Sequence, residues 1–596
     1  MKDLFEIVNG DWYRETDIPA EYASWGTFQE LRLDSLKQCK ELAEGDDGLV
    51  GTAYRSFMNH RGSVDDLPFD LLDKPLPEAL GELDTIGITA PASFFVEKSA
   101  DSDMAVAYIV QAGLGLPDEA YYHAPEHAAT LSAYEKHVER MLGLAGRSES
   151  ATDVLEVEHY LARGHWDNVA CRDAVKTFNP VELSSLGTNV QQMLRTMGLE
   201  DQTVIACQPS YLTHLEEAFS ELPEAKWHAW AVWHIISSCA GMLSDELSAA
   251  NFDFYGRVLA GSEKQRDRWQ RALGFVESGL GFELGKLYAA RYFPESSKKD
   301  MLELVDYLLA AYRERISGLP WMTSATREKA LTKLEQFTAK IGYPDTWREY
   351  DVSLQEDDVL GNARALALNS HNNYHLSKLG KPYDRGEWVM TPQTVNACYN
   401  PTVNDITFPG AILQAPFYSP THSPAENFGG IGAVIGHEIG HGFDDQGSRY
   451  DGHGNLNVWW TDEDRAAFEE LTAKLVGQFQ GLVPIALEGT ETPGVNGELT
   501  LGENIGDLGG LGIALVAYKK WAADNNEDID LKSFFRSWAM SWRQKTRPQM
   551  AAQLLAIDPH SPSEFRCSVI PKNIDEFYEA FDVEDGFAPE ERVTIW

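Results

Sequence analysis

Apolar residues recur at helical spacing over most of this chain. Between residues 120 and 290, long segments carry an apolar position every three or four residues, and strand alternation is not evident. The same pattern continues through residues 298–320 and 325–344, and the second segment ends at Gly-Tyr-Pro. Further helices are predicted at 429–445, 462–481, 502–524 and 531–555.

Residues 386–414 follow a different pattern, with short β-rich runs that Pro, Asn and Gly interrupt. The two patterns together predict a mainly helical fold with a small α+β region. The chain has 596 residues, which exceeds one ordinary hydrophobic core, so we expect two lobes or more.

The charge balance limits the partners. The formal net charge is −42, so the surface should repel nucleic-acid phosphates and anionic lipids. The six cysteines form no CxxC pair, and neither an apolar leader nor a membrane-length apolar run is visible. We therefore expect a cytoplasmic monomer without nucleic-acid or membrane partners, although a trimmed form of an exported protein would look the same.

Candidate chemistry lies in residues 434–447, VIGHEIGHGFDDQG. Residues four apart share a helix face, with Cβ atoms about 5–6 Å apart, so His437 and His441 could bind one metal ion. Glu438 points about 100° away, where it could hold the ion's water without binding the ion. The alternative is a buried helix with two hydrogen-bonded histidines, but this leaves Glu438 and the acidic pair at 444–445 unexplained.

A metal ion bound by two histidines needs a third protein ligand. The HExxHxxGxxH pattern is excluded because Asp444 and Gly447 stand where it requires glycine and histidine. A second class takes a glutamate from a later helix, and Glu503 in LGENIGDLGG is the candidate. Asp507, at i+4 from it, could accept the second ring N–H of a ligating histidine. Two acids near a helix N-terminus are also common without a metal, because the helix dipole favours them there. This structural explanation is the weaker one here, because the two acids lie downstream of an HExxH motif.

A third motif, DPHSPSEFR, contains His560 and Arg566. A peptidase that forms a tetrahedral oxyanion needs a hydrogen-bond donor there and a cation to hold the substrate carbonyl. Taken as isolated loop residues, both are more often structural or solvated.

Several motifs in the same order resemble the neprilysin family of zinc metallopeptidases, which includes endothelin-converting enzymes and bacterial oligopeptidases. Besides the three motifs above, the resemblance rests on residues 8–19, 24–31, 341–350 and 395–418 and on the final Ile-Trp.

This resemblance implies a function and an architecture. It implies a zinc-dependent endopeptidase that cleaves internal bonds of oligopeptides before hydrophobic residues, with one Zn²⁺ per chain. Its fold would be a thermolysin-like catalytic lobe, residues 1–45 and 251–596, and a helical cap lobe, residues 46–250, that enclose a cavity.

The resemblance also implies residue roles. Zinc would be bound by His437, His441 and Glu503. Glu438 and zinc would activate water, and His560 and zinc would stabilise the oxyanion. Asp507 and Asp444 would support the metal ligands. The substrate would contact Asn396, Ala397, Arg566, Phe417 and Trp542.

One departure from neprilysin concerns the substrate's end. An arginine that grips a free C-terminal carboxylate in neprilysin corresponds to Ser24 here, and Gln29 replaces a following aspartate. Internal cleavage is therefore favoured. Two other hypotheses are a non-catalytic peptide-binding protein, against which the intact motifs argue, and a metallo-aminopeptidase, for which no acidic anchor motif is visible.

Overall fold

The structure, a computed structural model, describes residues 3–583 and 585–596. The chain forms two compact units. The first unit comprises Met1–Gln38, Gly285–Trp347 and Arg385–Trp596, and the second comprises Cys39–Leu284 and Arg348–Asp384. These boundaries differ from the expected ones after residues 45 and 250. Residues 251–284 pack in the second unit, where the Phe254 ring lies 5.5 Å from that of Tyr134.

The described residues are mostly helical, as predicted. The α-helices are α1 Leu4–Glu15, α2 Thr27–Gly45, α3 Leu49–Asn59, α4 Leu76–Thr85, α5 Ala128–Leu144, α6 Ala151–Ala162, α7 Asn168–Cys171, α8 Thr188–Thr196, α9 Pro209–Glu221, α10 Glu224–Cys239, α11 Asp245–Phe252, α12 Arg268–Tyr292, α13 Glu295–Gly318, α14 Ser324–Glu335, α15 Val359–Asn369, α16 Pro424–Asn427, α17 Ala433–Gly440, α18 Asp462–Phe479, α19 Leu501–Asn525, α20 Leu531–Ser541, α21 Pro548–Ile557, α22 Ser563–Ser568 and α23 Asp575–Ala580.

The strands in the described part of the chain are short and form three small sheets. They are β1 Ser24–Gly26, β2 Ala92–Lys98, β3 Ala105–Gln111, β4 Pro180–Glu182, β5 Thr203–Ala206, β6 Thr338–Gly342, β7 Cys398–Asn400, β8 Asp405–Pro409 and β9 Gln544–Thr546. The sheet orders are β1-β9, β2-β3-β5-β4 and β6-β8-β7. In the last sheet β6 runs parallel to β8 and β7 antiparallel to it, so β7 is an edge strand.

The core of the second unit is built around α10, in which Trp227, Trp230 and Trp233 are fully buried. A buried carboxylate, Glu158, lies in the same core and accepts hydrogen bonds from the Tyr122 and Tyr134 hydroxyls at 2.7 and 2.9 Å. A buried carboxyl group of this kind is tolerated because its oxygens are hydrogen-bonded.

In the first unit, α17 packs along α19, and both helices are rich in glycine. A short π-helical segment, Phe428–Gly432, leads into α17. Its Gly429 lies so close to α20 that an added Cβ would be 2.1 Å from the Phe534 carbonyl oxygen. Such close approach of backbones offsets the poor helix propensity of glycine.

Some predicted elements were wrong in detail. The single helix predicted at 531–555 is divided into α20 and α21, because residues 544–546 pair with β1 and Pro548 begins a new helix. The helix predicted to reach residue 445 ends at Gly440. Strands β4 and β5 lie within 120–290, where no strand was expected. Among the described residues, no helix combines the length and hydropathy that a bilayer span requires.

Candidate metal centre and active site

The position of α17 depends on two glycines that face each other across its contact with α19. A Cβ added at Gly510 would lie 2.5 Å from the backbone nitrogen of His437, and one added at Gly436 would lie 2.8 Å from the Gly510 carbonyl oxygen. Tyr312, from α13, donates a hydrogen bond of 2.7 Å to the Gly436 carbonyl. The backbone that carries His437 is therefore held directly against α19, which carries Glu503 and Asp507.

Three potential ligand atoms converge at this contact. The Nε2 atoms of His437 and His441 lie 3.1 and 3.5 Å from Glu503 Oε2, and 2.9 Å from each other. One ligand atom from each of these residues lies within 4.8 Å of the others. The predicted His, His, Glu set is thus brought together from α17, the residue that follows it and α19, although Glu503 comes 62 residues after His441 in the chain.

The hydrogen bonds of the outer ring nitrogens show that this set fits a cation. His437 Nδ1 is 2.9 Å from Asp507 Oδ1, and His441 Nδ1 is 2.7 Å from Asp444 Oδ2. Carboxylates only accept hydrogen bonds, so each ring places its proton on Nδ1 and directs the lone pair of Nε2 inward. Two lone pairs and a carboxylate oxygen facing one another would repel, unless a metal ion or a proton lies between them. Burial lowers the pKa of His441, but Glu503 and Asp444 together raise it well above its ordinary value, so the cluster favours a positive charge at this point. Two imidazoles and a carboxylate match the donors that zinc prefers.

Asp507 has a second partner, Arg566 of α22. The Arg566 Nε and Nη2 atoms each donate to an Asp507 oxygen at 2.7 Å, and both side chains are buried. Burial alone would raise the pKa of Asp507, but the Arg566 guanidinium lowers it below its ordinary value. Asp507 therefore stays charged between Arg566 and His437. The guanidinium also lies 3.6 Å above the centre of the Trp542 ring.

Glu438, which follows His437 on α17, is only 6% exposed. Burial raises the pKa of its carboxyl, whereas His437 and His441 act in the opposite direction. Burial and the nearby Glu438 carboxylate together raise the pKa of the Cys398 thiol, at the start of β7, to about 12. The edge strand β7 thus lies beside Glu438.

His560 lies in the loop between α21 and α22, with its side chain 45% exposed. Its Nε2 atom is 3.3 Å from Glu503 Oε2, and its Nδ1 atom is 2.7 Å from Asp558 Oδ1. Ser561 donates a hydrogen bond of 2.8 Å to Asn504, which ties this loop to α19. The sequence reasoning missed Asp558, although a carboxylate two residues before a candidate histidine is a usable signal.

The predicted substrate residues fall into two groups. Asn396 is exposed and Ala397 is buried, and both lie immediately before β7. Phe417 and Trp542 are buried on either side of Phe28, whose ring centre is 4.8 Å from Phe417 and 5.8 Å from Trp542. Phe28 was missed, because nothing local to residues 24–31 indicates which distant rings it contacts.

Comparison with known proteins places the whole chain in one family. Two models described as Peptidase family M13 match residues 1–344 and 396–592. A neutral endopeptidase of Lactobacillus helveticus is 31% identical over 638 aligned residues, which cover 100% of this chain and 96% of that protein. Human endothelin-converting enzyme 1 is 30% identical over 655 residues, covering 100% of this chain and 84% of that protein.

A solved structure agrees with these matches. The zinc metalloprotease Zmp1 of Mycobacterium tuberculosis, in complex with an inhibitor, is 40% identical and superposes with a TM-score of 0.94, covering 100% of this chain and 97% of the other. The resemblance to neprilysin-like enzymes is therefore confirmed, and so is the mainly helical fold. The chain belongs to peptidase family M13 and is a metalloendopeptidase.

Proposed function

We propose that this chain is a zinc endopeptidase that cleaves internal bonds of oligopeptides. In this proposal His437, His441 and Glu503 bind the zinc ion, Glu438 is the general base and His560 is the oxyanion donor. The observation that carries it is the convergence of two Nε2 atoms on Glu503 Oε2, beside the buried Glu438.

In this proposal the metal ion and Glu438 have separate roles in hydrolysis. When bound, zinc supplies Lewis acidity that polarises a carbonyl and acidifies water. The Glu438 carboxylate accepts the proton of the attacking water and delivers it to the leaving nitrogen. A pKa raised by burial suits this exchange, because a base that is too weak would not take the proton.

His560 and Arg566 would act on the substrate carbonyls. Asp558 orients the His560 ring so that Nε2 faces Glu503, where an N–H at Nε2 would donate to a developing oxyanion. The Arg566 Nη1 group takes no part in the pair with Asp507, and it can donate to a substrate carbonyl.

The strand and the aromatic rings support the proposed peptide specificity. The free edge of β7 can pair with an extended peptide, and Asn396 and Ala397 stand at the start of that edge. Phe28, Phe417 and Trp542 form an apolar cluster that suits a hydrophobic side chain after the cleaved bond.

Glu438→Gln tests the assignment of the base. The amide has the same shape but cannot take a proton, so we expect retained zinc and a rate lowered by about two orders of magnitude or more. Zinc content is measured by elemental analysis, and turnover with an internally quenched peptide, with and without chelator. Near-normal turnover by a zinc-loaded variant would contradict the proposal.

Peptides with blocked ends test internal cleavage. The position that matches the carboxylate-binding arginine of neprilysin is occupied by Ser24, an uncharged residue whose hydroxyl accepts a hydrogen bond of 3.0 Å from Gln29. We therefore expect free and C-terminally amidated peptides to be cleaved at similar rates, and N-acetylated peptides to be cleaved as well. A strong preference for the free acid would overturn internal cleavage, and refusal of acetylated peptides would indicate an aminopeptidase.

A further inference from the structure

Lys333 of α14 is a buried cation that lies outside the proposed set of site residues. Its side chain is among the largest fully buried ones, and the residue is 1% exposed. The ammonium group donates three hydrogen bonds to backbone carbonyls, those of Gly442 at 2.6 Å and of Gly447 and Tyr450 at 2.8 Å. An ammonium group has three donors, so this arrangement uses all of them.

All three acceptors belong to the turn that follows α17, residues 442–450. This turn contains Asp444, whose Oδ2 accepts the hydrogen bond of His441 Nδ1. The other Asp444 oxygen accepts from the backbone nitrogens of Gln446 and Gly447 at 2.8 and 2.6 Å. The orientation of the Asp444 carboxylate is therefore set by the shape of the turn.

The turn also packs directly on the metal-site helix. A Cβ added at Gly447 would lie 1.7 Å from the His441 carbonyl oxygen, so only glycine fits there. The ring centres of Tyr399 and Phe443 lie 5.8 and 5.7 Å from the Lys333 ammonium, so both aromatic rings pack beside the buried charge. Burial lowers the pKa of Lys333 to about 7, while Asp444 and Asp451 favour its charged form. A neutral amine has only two N–H groups and would leave one carbonyl without its donor.

We propose that Lys333 is a positioning residue for the metal site. It holds the 442–450 turn so that Asp444 orients His441 for the metal. This inference rests on the proposed zinc site. It predicts that removal of the ammonium group weakens metal binding through Asp444, rather than only lowering the stability of the fold.

Lys333→Met tests this proposal, because methionine keeps the apolar stem and removes the charge. We expect the affinity for Zn²⁺, measured by competition with a chromophoric chelator, to fall about tenfold, at the low end of the 10–100-fold loss typical of outer partners of a metal ligand. The visible absorption of the Co²⁺-substituted protein should change as well, since it reports ligand geometry.

A double-mutant cycle separates positioning from stability. In an Asp444→Ala background, Lys333→Met should cost little further metal affinity, because both changes remove the same support. Lys98→Met, at another fully buried lysine in the second unit, is the matched control, and it should lower stability without altering metal affinity. The folded fraction of every metal-free variant is measured by urea unfolding, and affinities refer to folded protein.

The outcomes are distinct. Unchanged Zn²⁺ affinity and an unchanged Co²⁺ spectrum in folded Lys333→Met would overturn the proposal, and so would losses that add fully to those of Asp444→Ala. If Lys333→Met does not fold, Lys333→Gln, which keeps two N–H donors, is judged by the same criteria. If the wild-type protein itself binds no zinc, the proposed function fails rather than this inference.

Discussion

The two histidines of the proposed metal site are each hydrogen-bonded to a carboxylate, and these carboxylates lie at different distances along the chain. Asp444 is three residues after His441, so their contact follows from local turn geometry. Asp507 is 70 residues after His437 and is also paired with Arg566, 59 residues further on. The sequence predicted that Asp507 could accept from a ligating histidine, whereas a supporting role of Asp444 was expected only from the resemblance. Which histidine Asp507 contacts, and its pairing with Arg566, depended on the packing of α17, α19 and α22.

Glu503→Ala should remove the only carboxylate that faces both Nε2 atoms within the described part of the chain. We expect Zn²⁺ affinity to fall by more than the roughly 10–100-fold that loss of an outer partner costs. Glu498→Ala, at an exposed position shortly before α19, is the control and should retain its zinc. Equal zinc affinity in the two variants, measured by competition, would remove Glu503 from the ligand set.

At the level of elements, the contact between α17 and α19 brings the residues of the site together. This contact is possible because glycines, which have no side chain, lie between the two helices. Gly436 and Gly510 bring the two backbones within van der Waals distance. The glycine-rich pattern is visible in the sequence, and a face without side chains permits the close approach of another element. It did not indicate which element, because many helices could pack on a smooth face.

Gly510→Ala should force α17 away from α19, since the new Cβ would meet the His437 backbone at 2.5 Å. We expect a loss of about 1–3 kcal/mol in the free energy of unfolding, together with weaker zinc binding. Gly512→Ala is the matched control on the same helix, where an added Cβ meets no atom within 4 Å.

Alanine at position 512 should stabilise the helix by up to about 1 kcal/mol. Urea unfolding and zinc competition on both variants check this pair. A Gly510→Ala protein with wild-type zinc affinity would show that the distance between the helices does not control the site.

On the scale of the whole molecule, the two units differ in their buried ionisable groups. In the second unit, the buried His137 and the partly buried His165 and His375 have pKa values lowered to about 4, chiefly by desolvation. His137 stacks on Phe254 with ring centres 4.9 Å apart. These rings stay neutral in the folded protein at a pH where an unfolded chain would protonate them.

His137→Gln should reduce the acid sensitivity of the second unit. In the wild type, the unfolded chain takes a proton near pH 6.5 and the folded chain only near pH 4, so stability falls as the pH falls through this window. Each such proton contributes a slope of about 1.4 kcal/mol per pH unit. We expect the free energy of unfolding of the variant to depend less steeply on pH, by the contribution of one proton, when it is measured by urea unfolding from pH 7 to 4. Parallel pH profiles for the two proteins would contradict this expectation.

The sequence by itself predicted a mainly helical fold, placed His437, Glu438 and His441 within little more than one helical turn, and made Glu503, rather than a third histidine, the candidate for the remaining ligand. These follow from local periodicity and from the spacing of residue types, which a helix converts directly into positions in space. Only the tertiary structure decided the pairing of Asp507 with Arg566, the contact of Phe28 with two distant rings and the three carbonyls that Lys333 binds. Such contacts join residues up to several hundred positions apart, and they depend on which backbones can approach closely, a property that no local pattern contains.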